Sequence, residues 1–444
     1  MSAVRFARTR FRQASELLAL VLPGQYPADS VIERYFKAHR EMGSQDRGFA
    51  AETVYGCLRR LGEIRATIQP LIDDMNEERQ APYITAAYLV MAQGWQTKSF
   101  ADTEFNREAE TLVKQIRQFD KTRLSEAERC NLSDTVYQAL STTFTSDDIQ
   151  RLAQALNQPA PVDLRVNTAK TDRERLQREL GAQGFDCEPT RLSVWGLRRA
   201  QRGPLFNTPA FKQGQFELQD EASQLVSWLL APKPRETIVD FCAGAGGKSL
   251  HLSQLMRNRG KVIACDISAR RLEQMSPRLR RAGCDNVQLQ PLADEHDPIL
   301  GNWREQADAV LVDAPCSGTG TYRRNPDLKW RSLDLPALNA LQASILQSAG
   351  RLLKPGGRLV YATCSVLSQE NEAIVDQFLA DHPQFERVGV DRQYEDSEAI
   401  LASLQTIDAS AAEALRTQGT LRLYPHLHQT DGFFAQRLQR KASA

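Results

Sequence analysis

Two cysteines in the C-terminal half of the chain lie at the carboxyl ends of predicted strands. Cys316 follows the strand DAVLVD in the stretch Asp313-Ala314-Pro315-Cys316, and Cys364 ends the strand RLVYATC. Ligands of open parallel sheets bind outside the carboxyl ends of the strands. A lone strand-end cysteine is usually a small buried apolar residue. Two of them beside an acidic residue predict a reactive site.

Such a pair suits chemistry on a pyrimidine ring. Carbon 5 of cytosine is a poor nucleophile, but a thiolate that adds to carbon 6 makes carbon 5 enamine-like and able to attack a sulfonium methyl group. An acid such as Asp313 would hydrogen-bond N3 of the ring if burial raises its pKa. Lys248 would favour the thiolate, and a second thiol or base would help to release the adduct.

A glycine-rich turn precedes these cysteines, between a predicted strand and a helix. It consists of Cys242, Ala243, Gly244, Ala245, Gly246, Gly247 and Lys248. A nucleotide-binding P-loop needs glycine where Cys242 stands, and a dinucleotide turn needs glycine or alanine where Ser249 stands. Asp266 ends the next strand, where an acidic side chain accepts the hydroxyl groups of an adenosine ribose. This pattern disfavours a nucleoside triphosphatase and leaves NAD and S-adenosylmethionine open.

Hydrophobic periodicity predicts three segments. Residues 1–156 are predicted to be all helical, and the prolines of NQPAP mark a linker. Residues 161–232 form a small α+β module with the strand VDLRVNT, a helix at about 171–184, two short strands near 186–197 and a helix at 218–230. In residues 233–444, strands alternate with helices near 249–258, 269–283, 337–353 and 369–382, which predicts a mostly parallel sheet. The acidic, alanine-rich segment 391–420 is predicted to be a helical excursion.

Composition restricts the class of protein. The 444 residues are 41% hydrophobic and 25% charged, as in globular proteins of two or three domains. There is no apolar run of about 18 residues, so no membrane partner is expected, and the N-terminus is interpreted as an amphipathic helix. The net charge of +1 requires any nucleic acid to be met by local basic patches. Eight cysteines without a CxxC motif predict free thiols in a reducing cytosol and no metal site.

Four stretches carry a resemblance to a known family. DFCAGAGGK, VLVDAPCSGTGTYRRNPDLKW, YATCSVLSQENE and DGFFAQRL resemble successive motifs of the Sun/Fmu (RsmB-like) family of RNA cytosine-5 methyltransferases. The resemblance covers about residues 161–444. It implies an α/β fold, the class I methyltransferase (Rossmann-like) seven-stranded sheet with a reversed last strand, and S-adenosylmethionine as methyl donor. Residues 161–232 resemble the family's RNA-binding module, whereas 1–156 resemble its NusB-like domain only loosely.

The resemblance also implies roles for individual residues. Cys364 would be the nucleophile that bonds cytosine, and Cys316 would assist release of the product. DNA cytosine-5 methyltransferases use the Pro-Cys cysteine, here Cys316, as nucleophile, so the presence of Cys364 favours the RNA type. The remaining implied site residues are Cys242 to Lys248 for the cofactor, Asp266 for its ribose, Asp294 near the adenine, Asp313 at both cofactor and target base, and Arg165, Asn167, Arg323 and Arg324 for RNA.

These observations predict a monomeric, cytoplasmic RNA cytosine-5 methyltransferase. Ribosomal RNA, in particular 16S RNA, is the expected target, and tRNA is the alternative. The rival from another class is a non-catalytic RNA-binding factor of ribosome assembly with the same fold. Such a binder has no chemical need for both thiols, so the intact set Cys316, Cys364, Asp313 and Lys248 favours an enzyme.

Overall fold

The computed structural model describes residues 2–201, 203–391, 394 and 396–442. The chain divides into two compact units. One comprises Met1–Pro159 with Thr321–Leu333, and the other comprises Ala160–Gly320 with Asp334–Ala444. This division differs from the three predicted segments in two respects. The module at 161–232 belongs to the same unit as the large sheet, and the stretch Thr321–Leu333 belongs to the helical unit.

The first unit is helical, as predicted. Its helices are α1 (Ser2–Val21), α2 (Ala28–Ala38), α3 (Ser44–Arg59), α4 (Leu61–Ile72), α5 (Glu77–Gln93), α6 (Ala109–Gln118), α7 (Glu126–Cys130), α8 (Asp134–Ser141) and α9 (Ser146–Leu156), with 3-10 turns at Thr97–Phe100, Lys121–Arg123 and Pro326–Trp330. Side-chain caps fix several helix starts. At α7 the Ser125 hydroxyl accepts from the Glu128 amide (3.2 Å), and the Glu128 carboxylate accepts from the Ser125 amide (2.8 Å). The core packs around Phe11, Ile64 and Ile84, which are fully buried.

The stretch Thr321–Leu333 is fixed within the helical unit by side-chain hydrogen bonds. Trp330 Nε1 donates to the carbonyl oxygen of Leu58 (2.7 Å). Lys329 Nζ donates to the carbonyl oxygen of Arg59 (3.0 Å) and to Asn157 Oδ1 (2.6 Å). The residues that follow the motif of Cys316 are therefore part of the helical core rather than a free loop.

The small module of the second unit is a four-stranded antiparallel sheet with helices. Its strands are β1 (Val162–Val166), β2 (Glu188–Pro189), β3 (Gly196–Arg199) and β4 (Phe216–Leu218), in the order β2-β3-β1-β4, and its helices are α10 (Arg173–Gly181), α11 (Pro209–Lys212) and α12 (Glu221–Leu229), with a 3-10 turn at Leu205–Asn207. Leu164 and Val166 of β1 enter the module's core, as the alternation predicts. Asp163 and Arg165 on the other face are also buried.

The large sheet follows the predicted class. Its strands are β5 (Thr237–Asp240), β6 (Lys261–Asp266), β7 (Val287–Pro291), β8 (Ala307–Asp313), β9 (Leu353–Thr363), β10 (Phe385–Arg387), β11 (Thr420–Leu423) and β12 (Phe433–Arg440). Seven of them follow the order β10-β12-β9-β8-β5-β6-β7, and β11 pairs with β12 off this path. β5 to β9 are parallel, and β12 is antiparallel to β9. The predicted seven-stranded sheet with its reversed last strand is confirmed, and β11 is an addition.

Helices cover the large sheet close to the predicted positions. They are α13 (Gly247–Leu255), α14 (Ala269–Ala282), α15 (Leu335–Gly350), α16 (Glu372–Asp381), α17 (Ser397–Ile407), α18 (Ala409–Gln418) and α19 (Pro425–His428), with 3-10 turns at Pro298–Trp303, Thr319–Thr321 and Ser368–Glu370. Asp334 caps α15 by accepting from the Ala337 amide (3.0 Å). α17 and α18 confirm the helical excursion within 391–420, of which residues 392, 393 and 395 lie outside the described residues.

One predicted boundary was wrong. The helix predicted near 337–353 ends earlier, since α15 ends at Gly350 and the sequence KPGG that follows residue 353 lies inside β9. The pairing of β8 with β9 is irregular at this point, because Ala307 pairs with Leu353 whereas Ala309 pairs with Arg358. The glycines of KPGG therefore lie at an irregularity in the pairing of the strand.

Among the described residues, no helix has the length and apolar character that crossing a membrane requires.

Candidate active site

The turn between β5 and α13 forms the floor of a cleft. Gly244 (φ +56°) and Gly246 (φ +87°) have left-handed backbones, which favour glycine. A Cβ at Gly246 would lie 2.3 Å from Cγ of Met275, so no larger residue fits there without rearrangement. A Cβ at Gly244 would meet no atom within 4 Å. The amide of Gly244 donates to the Asp266 carboxylate (2.8 Å), which connects the turn to the end of β6.

The cleft has a volume of about 440 Å³ and lies at the carboxyl ends of β5, β6 and β8. The structure brings together nearly all of the residues predicted for the cofactor. Those that line the cleft are Cys242, Ala243, Gly244, Ala245, Gly247, Lys248, Asp266, Asp294 and Asp313. Gly246 shapes the turn without lining the cleft. Sequence reasoning missed further lining residues: Gln219, Ser223, Asp240, Phe241, Ile267, Arg271, Leu292, Ala293, Glu295, Pro315, Leu341 and Ile345.

The wall of the cleft is acidic. Five carboxylates line it, from Asp240, Asp266, Asp294, Glu295 and Asp313, against the cations of Lys248 and Arg271. Asp240 is fully buried, and this burial raises its pKa to about 7. The hydroxyl of Ser249 donates to Asp240 Oδ2 (2.6 Å) and opposes that rise, whereas the Asp313 carboxylate adds to it. A cationic ligand therefore suits this cleft better than a phosphate-bearing one.

The two strand-end thiols lie next to each other. β8 and β9 pair in parallel, with Asp313 opposite Ala362, so Cys316 and Cys364 leave the sheet at the same edge. Their sulfur atoms are 3.4 Å apart, and both residues are half-buried. Contact with Cys364 and burial raise the pKa of Cys316 well above its usual value. Cys316 therefore keeps its proton at neutral pH, and in the contact between the two sulfur atoms either thiol can be the donor.

Lys248 and Asp313 form an ion pair in the cleft, with 2.6 Å between Nζ and Oδ2. The ammonium group also lies 5.2 Å from the ring centre of Phe433 on β12, within the range of a cation–π contact. Lys248 is 8% exposed, so its side chain is largely shielded from solvent. The predicted proton donation from Asp313 to a base requires a protonated carboxyl group. In this structure Asp313 is paired instead with the cation of Lys248.

Comparisons with known proteins decide the family. The sequence profile described as 16S rRNA methyltransferase RsmB/F matches residues 227–439, and the RsmF/B-like ferredoxin-like domain matches residues 134–205. Two proteins named ribosomal RNA small subunit methyltransferase B are each 32% identical to the chain. The one from Erwinia tasmaniensis aligns over 78% of this chain and 84% of its own length, and the one from Escherichia coli over 77% and 83%. The chain belongs to the RsmB/F family of 16S rRNA methyltransferases.

Solved structures agree with membership in the RsmB/F family. The crystal structure of PH0851 aligns over 96% of this chain and 98% of that chain, with 25% identity and a TM-score of 0.76. A methyltransferase homolog protein from Pyrococcus horikoshii aligns over 72% of this chain and its own full length, with 29% identity and a TM-score of 0.59. The resemblance that the sequence motifs carried is confirmed.

S-adenosylmethionine is the cofactor of these methyltransferases, and the cleft of this RsmB/F-family chain fits it. The sulfonium and ammonium groups of the cofactor are cationic, and the cleft wall carries an excess of carboxylates. Asp266 would hold the ribose, and the exposed side chain of Ile267 would cover one side of the adenine. NAD would bring phosphates to the same acidic wall, which disfavours the alternative that the glycine pattern left open.

Two residues predicted for RNA are buried in the second unit. Arg165 is 1% exposed, and its Nη1 donates to the carbonyl oxygen of Gly247 (2.8 Å) and to Gln219. Asn167 is equally buried, and its Nδ2 donates to the carbonyl oxygens of Gly214 and Ala282, both at 2.9 Å. Arg165 thus connects the module to the cofactor turn, and Asn167 connects it to the end of α14. We do not retain them as RNA contacts, because their polar face is covered within the unit.

The other two predicted RNA contacts lie in the helical unit. Arg323 is buried, and its carbonyl oxygen accepts from Arg59 Nη2 (3.3 Å). Arg324 is half-buried. Contact of Arg323 and Arg324 with RNA stays a prediction. Two of the missed cleft residues had a signal in the sequence, since Ile267 directly follows the predicted strand KVIACD and Leu292 lies two positions after the predicted strand NVQLQ.

Proposed function

We propose that this protein transfers a methyl group from S-adenosylmethionine to carbon 5 of a cytosine in 16S ribosomal RNA through a transient bond between Cys364 and the base. The observation that carries the proposal is the 3.4 Å contact between the Cys316 and Cys364 sulfurs at the edge of the cofactor cleft. Methylation of an exocyclic nitrogen or a ribose hydroxyl needs no thiol. Two adjacent thiols suit a reaction in which a carbon–sulfur bond is made and then broken.

The steps assign one role to each thiol. The Cys364 thiolate adds to carbon 6 of cytosine, and carbon 5 becomes the nucleophile. The cofactor supplies the electrophilic methyl group. The proton on carbon 5 then leaves to a base, the bond between carbon 6 and Cys364 breaks, and the sulfur departs as a thiolate. Cys316 assists this release, because its S–H lies within hydrogen-bonding distance of the departing sulfur.

The raised pKa of Cys316 supports these separate roles of the two thiols. A cysteine that keeps its proton is a poor nucleophile, so Cys316 does not compete with Cys364 for the base. Lys248 and Asp313 form an ion pair in the cofactor cleft, which is also lined by Pro315, the residue directly before Cys316. We propose that they orient the cytosine, and that Lys248 also favours the thiolate.

The test is transfer of a labelled methyl group from S-adenosylmethionine to unmodified 16S rRNA, small-subunit particles and tRNA, with Cys364→Ala alongside. We expect label in 5-methylcytosine of 16S rRNA with the wild-type protein and none with Cys364→Ala. Label in tRNA alone would replace the substrate assignment. Label in another base or position, or full activity of Cys364→Ala, would overturn the cytosine-5 mechanism. Cofactor binding without transfer to any RNA would favour a binding factor of ribosome assembly.

A further inference from the structure

A buried carboxylate outside this reaction scheme lies among the residues that follow the two thiols. Glu370 ends the 3-10 turn Ser368–Glu370, six positions beyond Cys364, and is 0% exposed. The hydroxyl of Tyr361 donates to its backbone carbonyl oxygen (2.7 Å), which fixes the turn against β9. Glu370 belongs to the motif YATCSVLSQENE, but the sequence alone indicates no task for it.

Four donors converge on the Glu370 side chain. The amide of Ser317 donates to Oε1 (2.8 Å), as does Nε2 of Gln342 (3.0 Å). The hydroxyls of Ser317 and Ser365 both donate to Oε2. A backbone N–H and the NH2 of a side-chain amide can only donate, which suits an ionised carboxylate. Burying such a group is costly unless its oxygens are satisfied by donors, as they are here.

The donors come from both cysteine loops. Ser317 directly follows Cys316, and Ser365 directly follows Cys364. Gln342 on α15 also donates to the carbonyl oxygen of Pro315 (2.9 Å), directly before Cys316. One carboxylate therefore holds the two loops that carry the thiols. Hydrogen bonds to an ionised group are roughly twice as strong as neutral ones, so Glu370 adds strong hydrogen bonds to the direct contacts between these loops, such as that of the Gly320 amide with the carbonyl oxygen of Cys364 (2.9 Å).

We propose that Glu370 is a positioning residue that sets the separation of the Cys316 and Cys364 thiols. The catalytic meaning of that separation rests on the proposed function, but the separation itself does not. In Glu370→Gln the amide oxygen can still accept from the Ser317 amide and Gln342 Nε2, but the NH2 then faces the hydroxyls of Ser317 and Ser365, which must turn from donors into acceptors. Loss of the charge and of these two donated hydrogen bonds loosens the connection between the two loops.

The first test measures the thiols without RNA. Phenylarsine oxide bridges two neighbouring thiols, forming two arsenic–sulfur bonds and releasing water. We expect the full-length wild-type protein to bind it with a one-to-one site that Cys316→Ala and Cys364→Ala each abolish. Glu370→Gln should weaken this binding by about tenfold or more, as loss of a charged hydrogen bond predicts.

The second test is kinetic. With saturating RNA, the single-turnover methyl-transfer rate of Glu370→Gln should fall by about tenfold or more, while its KM for RNA and its Kd for S-adenosylmethionine stay within twofold of the wild-type values. Glu221→Gln is the matched control. Glu221 is another 0% exposed glutamate of the same unit, and it accepts from the Ser193 amide (2.8 Å). Glu221→Gln should lower the unfolding temperature as Glu370→Gln does. It should leave the affinity for phenylarsine oxide and the methyl-transfer rate unchanged.

Wild-type arsenical affinity and rate in Glu370→Gln would overturn the proposal. So would an equal loss in Glu221→Gln, because the effect would then be general destabilisation. If Glu370→Gln does not fold, Ser317→Ala and Ser365→Ala each remove one donor, and unchanged arsenical affinity in both would also overturn it. Should Cys364→Ala retain methyl transfer, the proposed function fails, and the arsenical measurement still decides the role of Glu370.

Discussion

The sulfur atoms of Cys316 and Cys364 lie 3.4 Å apart, although 48 positions separate the residues in sequence. The parallel pairing of β8 with β9 produces this proximity, since it brings both carboxyl ends to one edge of the sheet. The contact makes the two thiols a single chemical unit. The consequence of removing either one therefore depends on which step of the reaction it serves.

The two single cysteine variants should fail at different steps. Cys364→Ala removes the proposed nucleophile, so methyl transfer should fall by roughly 10⁴-fold or more and no protein–RNA adduct should form. Cys316→Ala keeps addition and loses assisted release, so a covalent adduct that survives denaturing electrophoresis should accumulate. Incubation with S-adenosylmethionine and 16S rRNA followed by such a gel distinguishes them.

Cys187→Ala serves as the control for this experiment. Its thiol is buried in the core of the small module, so Cys187→Ala should behave as wild type. If Cys316→Ala instead released methylated RNA at the normal rate, or if Cys364→Ala accumulated the adduct, the roles of the two thiols would have to be exchanged or abandoned.

The cofactor cleft was predictable from the sequence because its residues follow strands. Parallel strands end at one edge, so the strand ends at Asp266 and Asp313 and the glycine turn could be placed together before any coordinates were known. The role of Glu370 could not be predicted, because its donors Ser317 and Gln342 come from elements far away in the sequence.

The main error among the predictions was the assignment of Arg165 and Asn167 to RNA. Alternation in VDLRVNT predicted a strand, and Arg165 and Asn167 were assigned to RNA on the family resemblance. Alternation shows which residues share a face of a strand, but it does not show whether another element covers that face. Here carbonyl oxygens of the cofactor turn and of the end of α14 accept hydrogen bonds from Arg165 and Asn167. These polar side chains therefore lie inside the unit.

Cofactor binding should depend on pH through Asp240. Because its pKa is raised to about 7, Asp240 is neutral below that pH and anionic above it. Affinity for cationic S-adenosylmethionine should therefore rise by about three- to tenfold between about pH 6 and about pH 8, an effect of the order of one screened charge pair. Isothermal titration calorimetry across this range measures it.

Asp240→Asn should flatten this profile, whereas Asp294→Asn, which changes an exposed carboxylate in the same cleft, should preserve its slope. The linked effect on stability has the opposite sign. Between its ordinary value of 3.8 and about 7, Asp240 binds a proton in the folded state and releases it in the unfolded state. Its contribution to stability is therefore lost as the pH rises through that window. A pH-independent affinity in the wild-type protein would contradict this account.

The two left-handed glycines of the cofactor turn should respond differently to alanine. Gly244→Ala meets only backbone strain, about 1–2 kcal/mol, but its new methyl group points into the cleft and should weaken S-adenosylmethionine binding. Gly246→Ala carries the same strain and also overlaps Met275, which adds about 1–3 kcal/mol of overpacking. Urea unfolding and calorimetric titration of both variants test the contrast.

The double variant Gly246→Ala/Met275→Ala provides the control for overpacking. It removes the atoms that a Cβ at position 246 would meet, so its loss of stability relative to Met275→Ala alone should be smaller than the loss in Gly246→Ala. Equal losses in the two backgrounds would show that the backbone angle of Gly246, rather than the close approach of Met275, requires glycine.

Lys329 should make the helical unit more stable as the pH rises. It is 0% exposed, and burial lowers its pKa well below the usual 10.5. Between that lowered value and 10.5 the unfolded chain binds a proton that the folded chain does not, so the free energy of unfolding increases with pH in this window. Lys329→Met removes the titrating group and leaves the acceptors Arg59 O and Asn157 Oδ1 without this donor, at a cost of about 1–3 kcal/mol.

The measurement is the difference in unfolding temperature between Lys329→Met and the wild-type protein at several pH values from about 7 to about 10, because titrations common to both proteins cancel in the difference. The unfolding temperature of Lys329→Met should fall further below that of the wild-type protein as the pH rises. Lys37→Met is the matched control, since this lysine of the same unit is paired with Glu33 and its side chain is 73% exposed. Lys37→Met should differ from the wild type by the same small amount at every pH. A constant difference for Lys329→Met as well would mean that Lys329 keeps its charge in the folded unit.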